Sequence, residues 1–132
     1  MKTTRYLLGA LCILLLATIA NLANAHHSTG NYNFDESARV TIHGTVKYWS
    51  FSNPHSFIDV DVSDAAGKVT PYKIFLTSRV ALQRYGWRPD SLKIGDMVEI
   101  EGSPDRKDPQ EVYLQRIVFA DGKQWNRSDI SL

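Results

Sequence analysis

The chain has 132 residues, 15 Lys and Arg against 14 Asp and Glu, four histidines and one cysteine. Near-neutral charge with no clustered basic run argues against a nucleic-acid partner, which needs a concentrated cationic surface. The one cysteine, Cys12, falls in an apolar amino-terminal run, so disulfides, thiolate metal sites and cysteine nucleophiles are excluded from the rest of the chain.

Residues 1–25 read as a cleavable secretory signal peptide. Lys2 and Arg5 give a short cationic start, Tyr6–Ile19 is an uncharged apolar run, and Ala23-Asn24-Ala25 is the small-x-small pattern of a signal peptidase site. The apolar run falls short of the roughly 20 residues of a spanning helix, so no stable membrane insertion is expected after cleavage. Leu11 before Cys12, and the apolar residues after it, argue against lipidation there. The expected location is periplasmic or secreted. Cleavage after Ala25 leaves one domain's worth of chain, starting His26-His27, and takes two basic residues with it, so the formal charge turns slightly negative.

Residues 26–37 are polar and rich in Gly, Asn and Ser, and read as an irregular arm that Tyr32 and Phe34 would pin to the body. From Arg39 to Trp49 the apolar residues alternate, with Val40, Ile42, Gly44, Val46 and Tyr48 on one parity, which is the period of a half-buried strand. Ser52-Asn53-Pro54 is a turn signal. Phe57–Val62 is a second strand, Ser63–Lys68 a hairpin loop, and Val69–Leu76 a third strand whose Pro71 points to an edge or a bulge. Thr77–Tyr85 switches to helical spacing, with Thr77 or Ser78 as cap and Gly86 as stop. Met97–Glu101 is a fourth strand, residues 102–110 a polar loop and Val112–Phe119 a fifth strand; Asp121-Gly122-Lys123 is a turn, and residues 125–132 read as a loose tail. Three strands, a short helix and two strands is the order of an OB-type barrel, so residues 38–124 are expected to form a small five-stranded OB-like barrel, all-β with one short helix; an open β-sandwich is the alternative.

The sharpest chemistry lies at the expected new terminus. A free α-amine on His26, pKa about 7.7–8.0, and its own ring nitrogen can close a chelate on a metal. A third nitrogen completes a T-shaped set, and nitrogen ligands in a square field favour Cu(II). His55, mounted on the Asn53-Pro54 turn, is the best distal partner, and His27 is an alternate ligand. His43 falls on the outer parity of its strand. Read blandly, the two adjacent histidines are polar residues of an arm and His55 holds its turn through backbone bonds. Asp59 and Asp61 share a strand face and read as a solvated pair; Arg79, Arg84, Arg88 and Lys93 read as the wet face of the helix. Tyr48, Trp49, Phe51 and Phe57 gather around the first turn. Trp49, Phe51, Asn53 and Phe57 are therefore the candidate surface for a ligand or partner, with core packing the ordinary role for such rings. There is no nucleophile elbow, phosphate loop or dinucleotide fingerprint, and no spacing that argues a Ser-His-Asp set.

Ala25-His26-His27-Ser28, Val40–Val46, Asn53-Pro54-His55, Arg84–Asp96 and the Asp121-Gly122-Lys123 turn together resemble a family of small exported bacterial proteins, the domain of unknown function 6152. The resemblance covers essentially the whole chain after residue 25. It implies export, a single domain and a small β-barrel-like fold, with His26, His27 and His55 as family features and His43 outside the pattern. It carries no activity. Ser78-Arg79-Val80 departs from the family's more usual Ser-Pro-Asn.

Three functions compete. The first is a periplasmic metal-binding module, copper favoured, acting as carrier, buffer or sensor through His26, His27 and His55. The second is a metal-free periplasmic module that holds a protein or a small apolar ligand on the aromatic surface. The third, an oxidative copper enzyme, ranks last because so short a chain leaves little surface for a substrate groove.

Overall fold

The computed structural model describes residues 29–129. The expected signal peptide, His26 and His27 lie outside them. Six strands form one sheet: β1 Val40–Ser50, β2 Phe57–Ser63, β3 Val69–Phe75, β4 Met97–Pro104, β5 Glu111–Val118 and β6 Gln124–Asn126. Among the described residues one α-helix, α1, spans Arg79–Arg84 between β3 and β4. Strand order is β3-β2-β1-β4-β5-β6, and a parallel pairing of β3 Lys73–Phe75 with β5 Glu111–Tyr113 closes the first five into a barrel. This is the OB arrangement. The open sandwich is ruled out by that closing pair, because a sandwich would leave β3 and β5 as free edges. No helix among the described residues is long and apolar enough to cross a membrane.

The core follows from strand parity. Ile42 and Val46 of β1, Ile58 and Val60 of β2, Ile74 of β3, Val98 and Ile100 of β4, and Val112, Leu114 and Ile117 of β5 are all buried. Leu82 of α1 joins the same cluster with Trp87 and Leu92. The Ser78 hydroxyl caps α1 by accepting from Ala81 N at 3.3 Å, and Gly86 ends it at φ +84°. The barrel is tight where β1 crosses β2. A Cβ at Gly44 would run into Val60 Cγ1 and lie 2.7 Å from the Asp61 carbonyl oxygen, so only glycine allows this approach.

Two features differ from the sequence reading. The first is a bulge in β1. Val46 faces Val60 but Tyr48 faces Asp59, so Lys47 is the extra residue. An extra residue flips every later side chain to the other face. Tyr48, expected on the inward parity with Val46, is instead 50% exposed, and Trp49 packs against the core. The second is the carboxyl-terminal segment, read as a loose tail from 125. Gln124–Asn126 pair with Arg116–Val118 of β5, Trp125 packs on the core cluster, and Arg127–Asp129 form a 3-10 turn. The pull is aromatic: Trp125 meets Trp87 edge-on at 5.5 Å, and the Arg127 guanidinium lies 4.7 Å from the centre of the Tyr113 ring.

Candidate functional site

His55 sits in the turn between β1 and β2, after the cis Asn53–Pro54 bond. The turn is held from inside by serines. Buried Ser56 donates through its hydroxyl to the Ser52 carbonyl and through its backbone N–H to Thr77 O, and its own carbonyl accepts from Leu76 N at 2.9 Å. The Ser52 hydroxyl donates to the His55 carbonyl at 3.0 Å. Asn53 Oδ1 accepts from Val80 N at 3.4 Å and so joins the turn to α1, which makes Asn53 a brace for the turn. These bonds fix the His55 backbone and leave its exposed imidazole without a hydrogen bond or ion pair among the described residues.

Opposite the turn runs the arm. Thr29–Asn31 form a 3-10 turn, and Tyr32 bridges to Asp105. Asn33 N donates to Pro104 O at 2.8 Å and Arg106 N to Asn31 O at 3.0 Å. The arm is also stapled by rings: Tyr32 lies 5.4 Å from Tyr113 and 6.3 Å from Phe75, and Phe34 lies 5.8 Å from Tyr113. Together the arm and the turn enclose a pocket of about 340 Å³. Its lining is Thr29, Asn31 and Tyr32 of the arm, His55 of the turn, Phe75 of β3, Glu111 and Tyr113 of β5, and Asp105.

The pocket is electronegative. Burial, then Glu111 and Asp105, then Tyr113, hold the Tyr32 phenol protonated far above its ordinary range. Burial also raises Tyr113, against the opposing pull of Arg127. Among the described residues, no three His, Cys, Asp or Glu side chains converge closely enough to hold a metal.

The expected aromatic surface splits in two. Trp49 and Phe51 stack at 5.5 Å, and Trp49 lies 5.7 Å from buried Trp87, so this pair belongs to the core side. Phe57 points outward, 5.7 Å from Tyr48 and 6.4 Å from Phe75, with the Lys73 ammonium 4.8 Å from its centre. The remaining candidates are ordinary surface groups. His43 is 72% exposed, 3.8 Å from Glu99; Asp59 pairs with Lys73 at 3.9 Å and Asp61 with Lys47 at 3.4 Å. Tyr32, Asp105, Glu111 and Tyr113, which complete the pocket, carry no local motif. Only barrel closure and arm docking bring them to His55; the sequence marked Tyr32 as an anchor of the arm and gave no signal for the other three.

No curated protein matches the chain. Among solved structures it is similar to the mitochondrial single-stranded DNA-binding protein Rim1 of S. cerevisiae, at 11% identity and TM-score 0.48 over 61% of this chain and 91% of that one. It is similar also to the N-terminal domain of the PriB protein of Thermoanaerobacter tencongensis, at 20% identity and TM-score 0.48 over 64% and 97%. At such values neither bears on what this chain binds. The family model matches residues 13–112, a range that takes in His26, His27, His55 and Glu111, and the chain thus belongs to the family of unknown function DUF6152.

Proposed function

We propose that the chain is an exported periplasmic metal-binding module, with Cu(II) the favoured metal, acting as a carrier, buffer or sensor. His26, freed at the terminus by cleavage after Ala25, supplies its α-amine and imidazole. His55 supplies the third nitrogen, and His27 is the alternate ligand. The observation that carries this reading is that Thr29, two residues after His27, lines the same pocket as His55. A chain advances at most about 3.3–3.6 Å per residue, and only three steps of sequence separate His26 from Thr29. The 29 positions between His26 and His55 in sequence are thereby no obstacle to their meeting. The rigid serine-held turn adds support, since a ligand on a fixed backbone loses little freedom on binding. Amine and imidazole nitrogens suit Cu(II), which stands at the top of the divalent affinity order.

The test is an intact-mass spectrum of the protein recovered after its own export, with and without one equivalent of Cu(II). The expected result is a chain starting at His26 that retains one copper, and a His55→Ala variant that retains it more weakly. A chain starting elsewhere, or equal retention by the variant, sinks the proposed ligand set.

A second reading has an observation of its own. Tyr48, Phe57 and Phe75 form an outward row with Lys73 above it, an apolar strip suited to a small planar ligand. On this reading the module works without metal. Tyr48→Ala would abolish ligand capture while leaving copper retention unchanged.

A further inference from the structure

Three arginines from distant parts of the chain, Arg39, Arg116 and Arg127, line one cleft of about 350 Å³. The sheet builds it. Glu101 of β4 faces Arg116 of β5, and Arg116 faces Asn126 of β6, so the three stand side by side across neighbouring strands. Cβ atoms of such facing pairs lie about 4.5–5.5 Å apart. Arg39, one residue before β1, reaches the Glu101 carboxylate at 2.9 Å, and Arg127 follows Asn126 in the 3-10 turn. Most polar groups here are taken. Arg116 donates to Glu99 Oε1 at 2.9 Å and to Gln124 Oε1 at 3.2 Å. The Gln115 amide donates to Ser103 Oγ at 3.1 Å, and the Asn126 amide to Asp129 Oδ2 at 3.1 Å. Arg127 is different. It is half-buried, with its guanidinium 4.7 Å from the centre of the Tyr113 ring and 5.3 Å from that of Phe34. The rings attract its charge. Among the described residues, no oxygen accepts from its five N–H groups and no carboxylate pairs with it. The exposed hydroxyl of Ser128, next in the chain and in the same cleft, likewise makes no hydrogen bond among them.

We propose that this cleft binds a small oxyanion, a carboxylate or a phosphate, with the Arg127 guanidinium as its main donor and the Ser128 hydroxyl as a second. A guanidinium is a planar fork that meets two oxygens of one anion at once, and such charge-assisted pairs are the strong hydrogen bonds of proteins. Stacking on Tyr113 and Phe34 holds the fork in place, so little freedom is lost when the anion arrives. The field has the right sign: three guanidiniums line the cleft against one carboxylate, and that carboxylate, Glu101, is already bound to Arg39. The cations are gathered in one small cleft instead of along a groove, which fits a compact anion and not a polyanionic chain. The inference uses none of the histidines of the metal-binding reading and stands apart from it.

The experiment titrates the exported protein with inorganic phosphate, and separately with succinate, by calorimetry at neutral pH and a fixed ionic strength set by sodium chloride. Arginine side-chain N–H signals in nitrogen-15 spectra report where the anion sits. The parent is expected to bind one equivalent of at least one probe and to shift the Arg127 signal most. The tighter probe names the source: phosphate a phosphoryl group, succinate a carboxylate. Arg127→Gln is expected to bind about tenfold more weakly. Arg127→Lys keeps a cation for the rings but not the fork, and is expected to stay weak; its thermal unfolding, compared with the parent's, separates a lost donor from a lost fold. Glu101→Gln frees Arg39 and removes the one carboxylate of the cleft, so it is expected to bind about threefold more tightly. A parent that binds neither probe overturns the proposal. So does equal affinity in Arg127→Gln, and so does weaker binding by a folded Glu101→Gln.

Discussion

Tyr48 and Trp49 are neighbours in the chain and belong to different parts of the molecule. Trp49 joins Phe51, Trp87, Phe119 and Trp125 in an inner cluster that seals the core beside α1. Tyr48 begins an outer row that runs through Phe57 and Phe75 to Tyr32, Tyr113 and Phe34, next to His55 and the pocket carboxylates. The inner rings meet one another and bury apolar area, so their work is stability. The outer rings meet an arm, charged groups and solvent, so their work is placement. One bulged residue, Lys47, separates the two roles.

The largest effect is expected inside. Trp87 is 4% exposed and touches three other rings, so Trp87→Ala should cost about 3–5 kcal/mol of stability. Denaturant unfolding measures it. The fraction that remains folded should bind Cu(II) as the parent does. If copper binding falls with stability held equal, the division between the two ring systems is wrong.

Outside, the balance reverses. Tyr32 makes two ring contacts that hold the arm down, with Phe75 and Tyr113, each contributing about 0.5–1.5 kcal/mol. Tyr32→Ala should therefore lower stability by only about 2 kcal/mol, summed over those contacts. On the proposed function copper affinity should fall more steeply, since the arm would then carry His26 toward His55. Tyr32→Phe should keep the affinity, because the ring and not the hydroxyl does the stapling. Equal affinity in the alanine variant would mean that the arm need not be docked.

The hydroxyl has a separate signature. The folded protein keeps Tyr32 protonated well above the usual phenol range, while the unfolded chain releases that proton near pH 10. The contribution is thus complete below pH 10 and is lost as the pH climbs beyond it. Denaturant midpoints compared between pH 8 and pH 11 should fall more for the parent than for Tyr32→Phe. Tyr113, raised by burial, adds a slope of the same sign to both proteins.

The smallest effect belongs to His43. It is exposed and its contact with Glu99 is long, so His43→Ala should change stability by less than about 0.5 kcal/mol and leave copper binding untouched. A measurable loss of copper would bring the outer face of β1 into the site.

Much of this molecule was legible in the chain. Alternation in Arg39–Val46 and Phe57–Val62, the Asp and Gly of the Ser63–Lys68 loop, and the change of period at Thr77 each report a local preference that the barrel keeps. Pro71 sits where β3 has no second neighbour, since only Lys73–Phe75 pair with β5. His55 was legible for the same reason: a histidine beside Asn-Pro is announced by its own turn.

What the sequence by itself determined is therefore the kind and order of the elements, because strand period, turn chemistry and helix capping act between residues a few positions apart. The tertiary structure decided the rest. The bulge at Lys47 exists because β1 must leave β4 and follow β2, and it is this that sends Trp49 inward. The sixth strand forms because Trp87 and Phe119 offer Trp125 a surface. The pocket exists because a parallel pair sets Glu111 and Tyr113 beside β3 while an arm from before β1 lies across them. The pocket's partners stand far apart in sequence, 38 positions from Phe75 to Tyr113 and 81 from Tyr32 to Tyr113, and no local propensity encodes a contact that only closure of the barrel creates.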